Sequence, residues 1–194
     1  MTNNDVLRRL RYTLDLSDST MIAVFGQADL KVGRDQVSNW LKKDDDADHE
    51  PLDDQQLATF LNGLINHKRG KKDGPQPVPE KKLTNNIILK KLKIAFDLDS
   101  IDMLQMIGQG GLTISKHELS AFFRKADHKH FRKCKDQVLR NFLQGLQVKL
   151  RPGDDEEKQW EEAIPESETK PIQEASSEKK TANQAVWSKV SVPD

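Results

Sequence analysis

The chain has 194 residues, of which 35% are hydrophobic and 32% are charged, and 31 basic residues balance 31 acidic residues. One cysteine excludes an internal disulfide framework, and no apolar run approaches the ~20 residues that a bilayer-spanning helix needs. The first residues form no apolar signal segment, so we expect a cytoplasmic protein that makes no membrane contact.

Residues 2–70 predict four short helices, each from apolar side chains at helical spacing. The first has Asn3 or Asn4 as its expected N-cap, and the second begins near Ser17 and stops at Gly26. No alternating apolar run is long enough to predict a strand. The expected core side chains are, in chain order, Val6, Leu7, Leu10, Leu14, Met21, Ile22, Val24, Phe25, Val37, Trp40, Leu41, Leu57, Phe60, Leu61 and Leu64.

The same pattern returns without a gap at an offset of 82 residues, with 22 of 69 aligned positions identical. The segment 2–4, Thr-Asn-Asn, recurs at 84–86, and the Phe-Leu-x-Gly-Leu of 60–64 recurs at 142–146. A glycine inside a helix costs up to ~1 kcal/mol relative to alanine, so its recurrence indicates close helix–helix approach. The sequence therefore predicts an all-α fold built by tandem duplication of a four-helix module.

The repeat divides the chain into four segments that differ in net charge. The first repeat is 2–70, with a charge of about -3, and a Lys/Pro-rich linker at 71–83 carries about +2. The second repeat is 84–151, with about +7, and an acidic tail at 152–194 carries about -6. Because each repeat alone has a small core, we expect the two to pack face to face about a pseudo-twofold axis. The tail's composition predicts disorder.

These recurring motifs resemble the YehS-like family of bacterial proteins. The likeness rests on the Asn-Asn-x-x-Leu start of each repeat, the Phe-Leu-x-Gly-Leu helices, the Lys68-Arg69-Gly70 end and the segment from Asp127 to Gln137. It covers residues 2–151 and implies a bacterial cytoplasmic protein with a duplicated helical domain of unknown function. It supplies no activity, substrate or catalytic residue.

The second repeat concentrates basic side chains on what helical spacing predicts to be outer faces. We expect its function to be non-catalytic contact with DNA, RNA or another polyanion. The segment 103–125 loosely resembles a helix-turn-helix, although the connection at 109–114 is longer than that motif uses. The expected nucleic-acid-binding residues are Lys90, Lys91, Lys93, Lys116, Arg124, Lys125 and Arg132.

Two other functions stay open. The first is a protein-interaction scaffold that uses the acidic first repeat or the tail. The second, more remote, is a metal-dependent or thiol enzyme built from His128, His130 and Cys134, with His117 and Asp136 nearby. The spacing of these residues matches no structural zinc module, and the acidic run 44–50 lacks the glycine and glutamate of a calcium loop. We therefore assign no catalytic, metal or cofactor residue and no small-molecule substrate.

Overall fold

A computed structural model describes residues 1–151 of the chain, so the tail expected to be disordered lies outside the described residues. Within 1–151 there are eight helices and no strand, which confirms the all-α duplication. None of these helices has the length and apolar character required to cross a bilayer. The helices are α1 Asn3–Thr13, α2 Asp18–Gln27, α3 Arg34–Leu41, α4 Asp54–Arg69, α5 Asn85–Ala95, α6 Ser100–Gln109, α7 Lys116–Phe122 and α8 Asp136–Leu150.

Side-chain caps set the starts of most helices. The N-cap of α1 is Thr2 and not the expected Asn3 or Asn4, and the hydroxyls of Thr2 and Thr84 accept backbone hydrogen bonds at the starts of α1 and α5. At α7, Ser115 and Glu118 form a capping box. The second helix runs one residue beyond Gly26, to Gln27.

The backbone repeats as closely as the sequence does. Asp15 and Asp97, 82 residues apart, both adopt left-handed conformations after α1 and α5, with φ of 50° and 53°. The positions after α2 and α6 also match, since Asp29 has a φ of 62° and Gly111 has a φ of 90°. Left-handed φ is costly for residues other than glycine and is best tolerated by aspartate and asparagine. Equivalent turns therefore reverse the chain in both repeats.

One apolar core runs through both repeats. Within the first repeat α2 packs on α4, and within the second α6 packs on α8. Across the repeats α4 packs on α5, and α8 packs on α1, which is the reciprocal relation expected of a pseudo-twofold axis. The largest fully buried side chains, Trp40, Phe25, Phe60 and Phe142, come from both copies.

The two mid-helix glycines allow the closest helix contacts. A Cβ atom at Gly63 would lie 1.9 Å from the carbonyl oxygen of Val24, and one at Gly145 would lie 1.9 Å from that of Met106. Val24 and Met106 are themselves 82 residues apart. The predicted reason for these glycines, close approach of α4 to α2 and of α8 to α6, is confirmed.

Two carboxylates join the repeats in the same way. Asp136, which begins α8, accepts a hydrogen bond from the amino group of Met1 at 2.6 Å. Asp54, which begins α4, accepts one from the backbone nitrogen of Leu83 at 2.9 Å. The hydrogen bond from Met1 is the main cause that lowers the pKa of Asp136. Each repeat thus holds the residue two positions before the first helix of the other.

Because the core is shared, we predict that neither repeat is as stable alone as in the pair. Residues 1–83 and 82–152, produced separately, should melt at least ~10 °C below residues 1–152, which corresponds to a loss of a few kcal/mol for a domain of this size. Circular dichroism during heating measures this. A half that melts at the same temperature as the pair would contradict a cooperative shared core.

Candidate functional site

An open groove of about 430 Å³ lies on the second repeat, between α7 and the loop that joins α7 to α8. We call it the basic groove. Polar and charged side chains dominate its walls, with one phenylalanine ring among them. Its lining residues are His117, Glu118, Ala121, Arg124, Lys129, His130, Phe131 and Arg132.

Backbone hydrogen bonds shape the loop side of the groove. The nitrogen of His128 donates to the carbonyl oxygen of Lys125 at 3.0 Å, and that of Phe131 donates to the carbonyl oxygen of His128 at 2.8 Å. The nitrogen of Arg132 then donates to the carbonyl oxygen of Ala121 on α7 at 3.2 Å. These bonds turn the chain twice and return it to α7. Backbone hydrogen bonds therefore define the path of the loop that forms this side of the groove.

A buried asparagine fastens this loop to α5. The side-chain amide of Asn86 donates to the carbonyl oxygens of Phe122 and Arg132, both at 2.9 Å. Its own oxygen accepts from the backbone nitrogen of Cys134 at 3.0 Å. Asn4 makes the equivalent three bonds in the first repeat. One residue therefore satisfies three backbone groups at the groove's rear.

The groove carries an excess of positive charge. Within residues 1–151, Arg124 and Lys129 form no ion pair, whereas Arg132 lies 3.9 Å from a carboxylate oxygen of Glu118 and remains 67% exposed. Hydrogen bonds from the backbone and hydroxyl of Ser115 lower the pKa of Glu118, so this single carboxylate is ionised at neutral pH. Three cations against one anion leave about +2, with the imidazoles of His117 and His130 beside them.

The structure brings together only some of the residues that the sequence predicts. Arg124 and Arg132 line the groove. Lys116 and Lys125 are exposed and do not line it, but they adjoin the lining residues His117 and Arg124 in sequence. Lys93 on α5 is half-buried, with its ammonium group 6.0 Å from the ring centre of Phe123.

Lys90 is exposed on α5, and its equivalent in the first repeat, Arg8, donates to the carbonyl oxygen of Lys42. Lys42 corresponds to Arg124. The repeat relation therefore places Lys90 on the same side of the second repeat as the groove.

The expectation that Lys91 lies on an outer face is wrong. Lys91 is 8% exposed, and its ammonium group donates to the side-chain oxygen of Asn62 on α4 at 2.5 Å. The same group lies 3.0 Å from a carboxylate oxygen of Glu80 in the linker. The physical reason is that α5 is covered on two sides, by its own repeat and by α4 of the other, so Lys91 is a contact between repeats.

The loop that builds the groove has reversed its charge relative to the first repeat. Residues 44–50 hold five acidic residues and no lysine or arginine, whereas the equivalent residues 126–132 hold two basic residues and one acidic residue. In the first repeat three of the five carboxylates pair with cations of the same repeat. Lys42 lies 2.5 Å from Asp48, and Arg8 lies 3.1 Å from Asp44.

Sequence reasoning treated His117 and His130 as remote metal ligands and overlooked Phe131 entirely. The alignment of the two repeats carries a signal for it, because Phe131 stands where the first repeat has His49 beside an acidic run. The closing of the loop onto α7, which places the ring in the groove, is a tertiary feature. Residue spacing alone does not reveal it.

The side chains of the histidines and of the cysteine do not converge on one site. Within residues 1–151 no three histidine, cysteine, aspartate or glutamate side chains are arranged to hold a metal ion. His128 and His130 are exposed, with ring centres 5.7 Å apart, and the backbone nitrogen of His130 donates a hydrogen bond to Nδ1 of His128. Cys134 is fully buried, and burial raises the pKa of its thiol from 9.0 to about 12. That thiol stays protonated at neutral pH, unlike an activated nucleophile.

Both repeats match a family of known proteins. A family model described as a protein of unknown function, DUF1456, matches the chain twice, over residues 3–70 and 85–152. The uncharacterised protein YehS of Escherichia coli (strain K12) is 40% identical over 147 residues, which are 75% of this chain and 94% of that protein. No solved structure matches.

The buried thiol predicts a specific loss of stability at high pH. The pKa of this thiol is higher in the folded chain than in the unfolded chain. The stability that the protonated thiol contributes to the folded chain is therefore complete below about pH 9 and decreases as pH rises towards 12. Between pH 8 and 10, urea unfolding should show the native protein losing ~1–1.5 kcal/mol more than Cys134→Leu. Leucine is the control because the first repeat carries Leu52 at this position. Equal pH slopes would contradict the raised pKa.

Proposed function

We propose that this chain, which belongs to the DUF1456 family of proteins of unknown function, binds nucleic acid or a similar polyanion through its second repeat. The observation that carries the proposal is the set of unpaired cations around the basic groove. Within the described part of the chain, Lys90, Arg124, Lys125 and Lys129 form no ion pair, and the repeat as a whole carries about +7. Unpaired cations attract phosphates, and their binding releases the counterions that surround the nucleic acid.

The proposed role is non-catalytic. The residues considered for a thiol or metal enzyme are dispersed, with Cys134 in the core and His130 on the surface. The remaining groove side chains, guanidinium, ammonium, imidazole and one carboxylate, suit binding of an anion. A cytoplasmic location, where nucleic acid is abundant, is part of the same proposal.

The alternative function, a protein-interaction scaffold, would use the acidic loop of the first repeat. That loop is less available than its sequence indicates, because Lys42 and Arg8 pair with three of its carboxylates. In the equivalent loop of the second repeat only Arg132 has an ion-pair partner among the described residues, Glu118 at 3.9 Å, so more of that loop's charge is accessible to a partner.

We predict salt-sensitive binding of the full chain to fluorescent DNA and RNA oligonucleotides. Fluorescence anisotropy between 50 and 300 mM KCl should give a log–log slope of about -0.7 to -0.9 for each neutralised phosphate. The variant Lys125→Glu should weaken binding of all sequences and reduce the slope by ~1. Lys43→Glu, its equivalent in the first repeat, is the matched control and should leave the affinity within about twofold. No binding at 50 mM KCl would favour the scaffold function instead.

A further inference from the structure

The basic groove has features that phosphate binding alone does not require. An extended basic surface is sufficient to contact the phosphates of a duplex, which lie on its outside. This site is concave, and its volume of about 430 Å³ falls in the range of pockets that enclose small organic groups. A single nucleotide is a group of that size, whereas a duplex is too wide to enter.

The groove walls combine flat rings with guanidinium groups. Phe131 and the imidazoles of His117 and His130 line the same cavity as Arg124 and Arg132. Aromatic rings and guanidinium planes are the surfaces on which unpaired bases stack. Phe131 is half-buried, and its exposed part lines the groove.

The carboxylate of Glu118 also favours a base over a bare phosphate. A carboxylate in a cavity that held only phosphate would repel its ligand. The exocyclic amino groups of unpaired bases donate hydrogen bonds, and a carboxylate accepts them. One oxygen of Glu118 is engaged by Ser115, while the other lies 3.9 Å from Arg132.

From these features we infer that the basic groove holds one unpaired nucleotide of a single strand, with its base on the ring-lined wall and the flanking phosphates on the surrounding cations. This inference rests on the proposed function and specifies its ligand as single-stranded nucleic acid. The first repeat lacks such a site, since Asp48, His49 and Glu50 replace His130, Phe131 and Arg132.

Anisotropy at 100 mM KCl with the full chain tests the inference. The ligands are a labelled 12-nucleotide single strand, the same strand in a duplex, and an abasic strand with the same number of phosphates. The native protein should bind the base-bearing strand about tenfold tighter than the other two, which is the range of one base stacked on an aromatic ring. Phe131→Leu should remove this preference and leave the affinity for the abasic strand unchanged.

Two controls separate the outcomes. His49→Leu alters the equivalent residue of the first repeat and should change nothing, and thermal melting checks that both variants fold. Equal binding of all three ligands, unchanged in Phe131→Leu, would overturn the groove inference and leave polyanion binding in place. Binding of none would refute the proposed function itself. Competition by a free mononucleotide as effective as the full strand would also overturn the inference, since the flanking phosphates would then contribute nothing.

Discussion

The fold depends on one buried asparagine in each repeat. Asn4 and Asn86 lie in the first turn of α1 and α5, and each is less than a tenth exposed. The side-chain amide has two donor hydrogens and an acceptor oxygen. They match one carbonyl group at the end of α3 or α7, and one carbonyl group and one N–H group of the loop that follows. An alanine here would leave those backbone groups buried without partners, at a cost of ~1–3 kcal/mol for each group that water cannot reach. This bond set holds an irregular loop in place between α3 and α4 and between α7 and α8.

Since the asparagine binds only backbone atoms, the side chains of the loop can vary without altering its path. The first repeat has acidic residues there, paired with its own lysine and arginine. The second has basic and aromatic residues around an open groove. Duplication thus yields two copies of a scaffold whose equivalent surfaces differ in charge, and the shared core fixes both surfaces in one body. The proposed function follows from that difference.

The helices and the duplication could be predicted because they rest on local pattern, namely apolar spacing, caps and an ungapped repeat. Gly63 and Gly145 could also be interpreted, since a mid-helix glycine has few reasons other than close approach. Lys91 could not. A helical wheel assigns one buried face to α5, whereas the second repeat's contact with α4 buries another. The groove likewise depends on a loop returning to α7, which neither charge counts nor spacing encodes.

We propose that the loop of the second repeat, and not its counterpart in the first, is the binding surface. Hydrogen–deuterium exchange of the full chain, with and without a single-stranded oligonucleotide, tests it within one molecule. Residues 116–133 should gain protection, while residues 34–51, with the same backbone path and opposite charge, should exchange as before. Protection confined to 34–51, or none in either segment at saturating ligand, would contradict the claim.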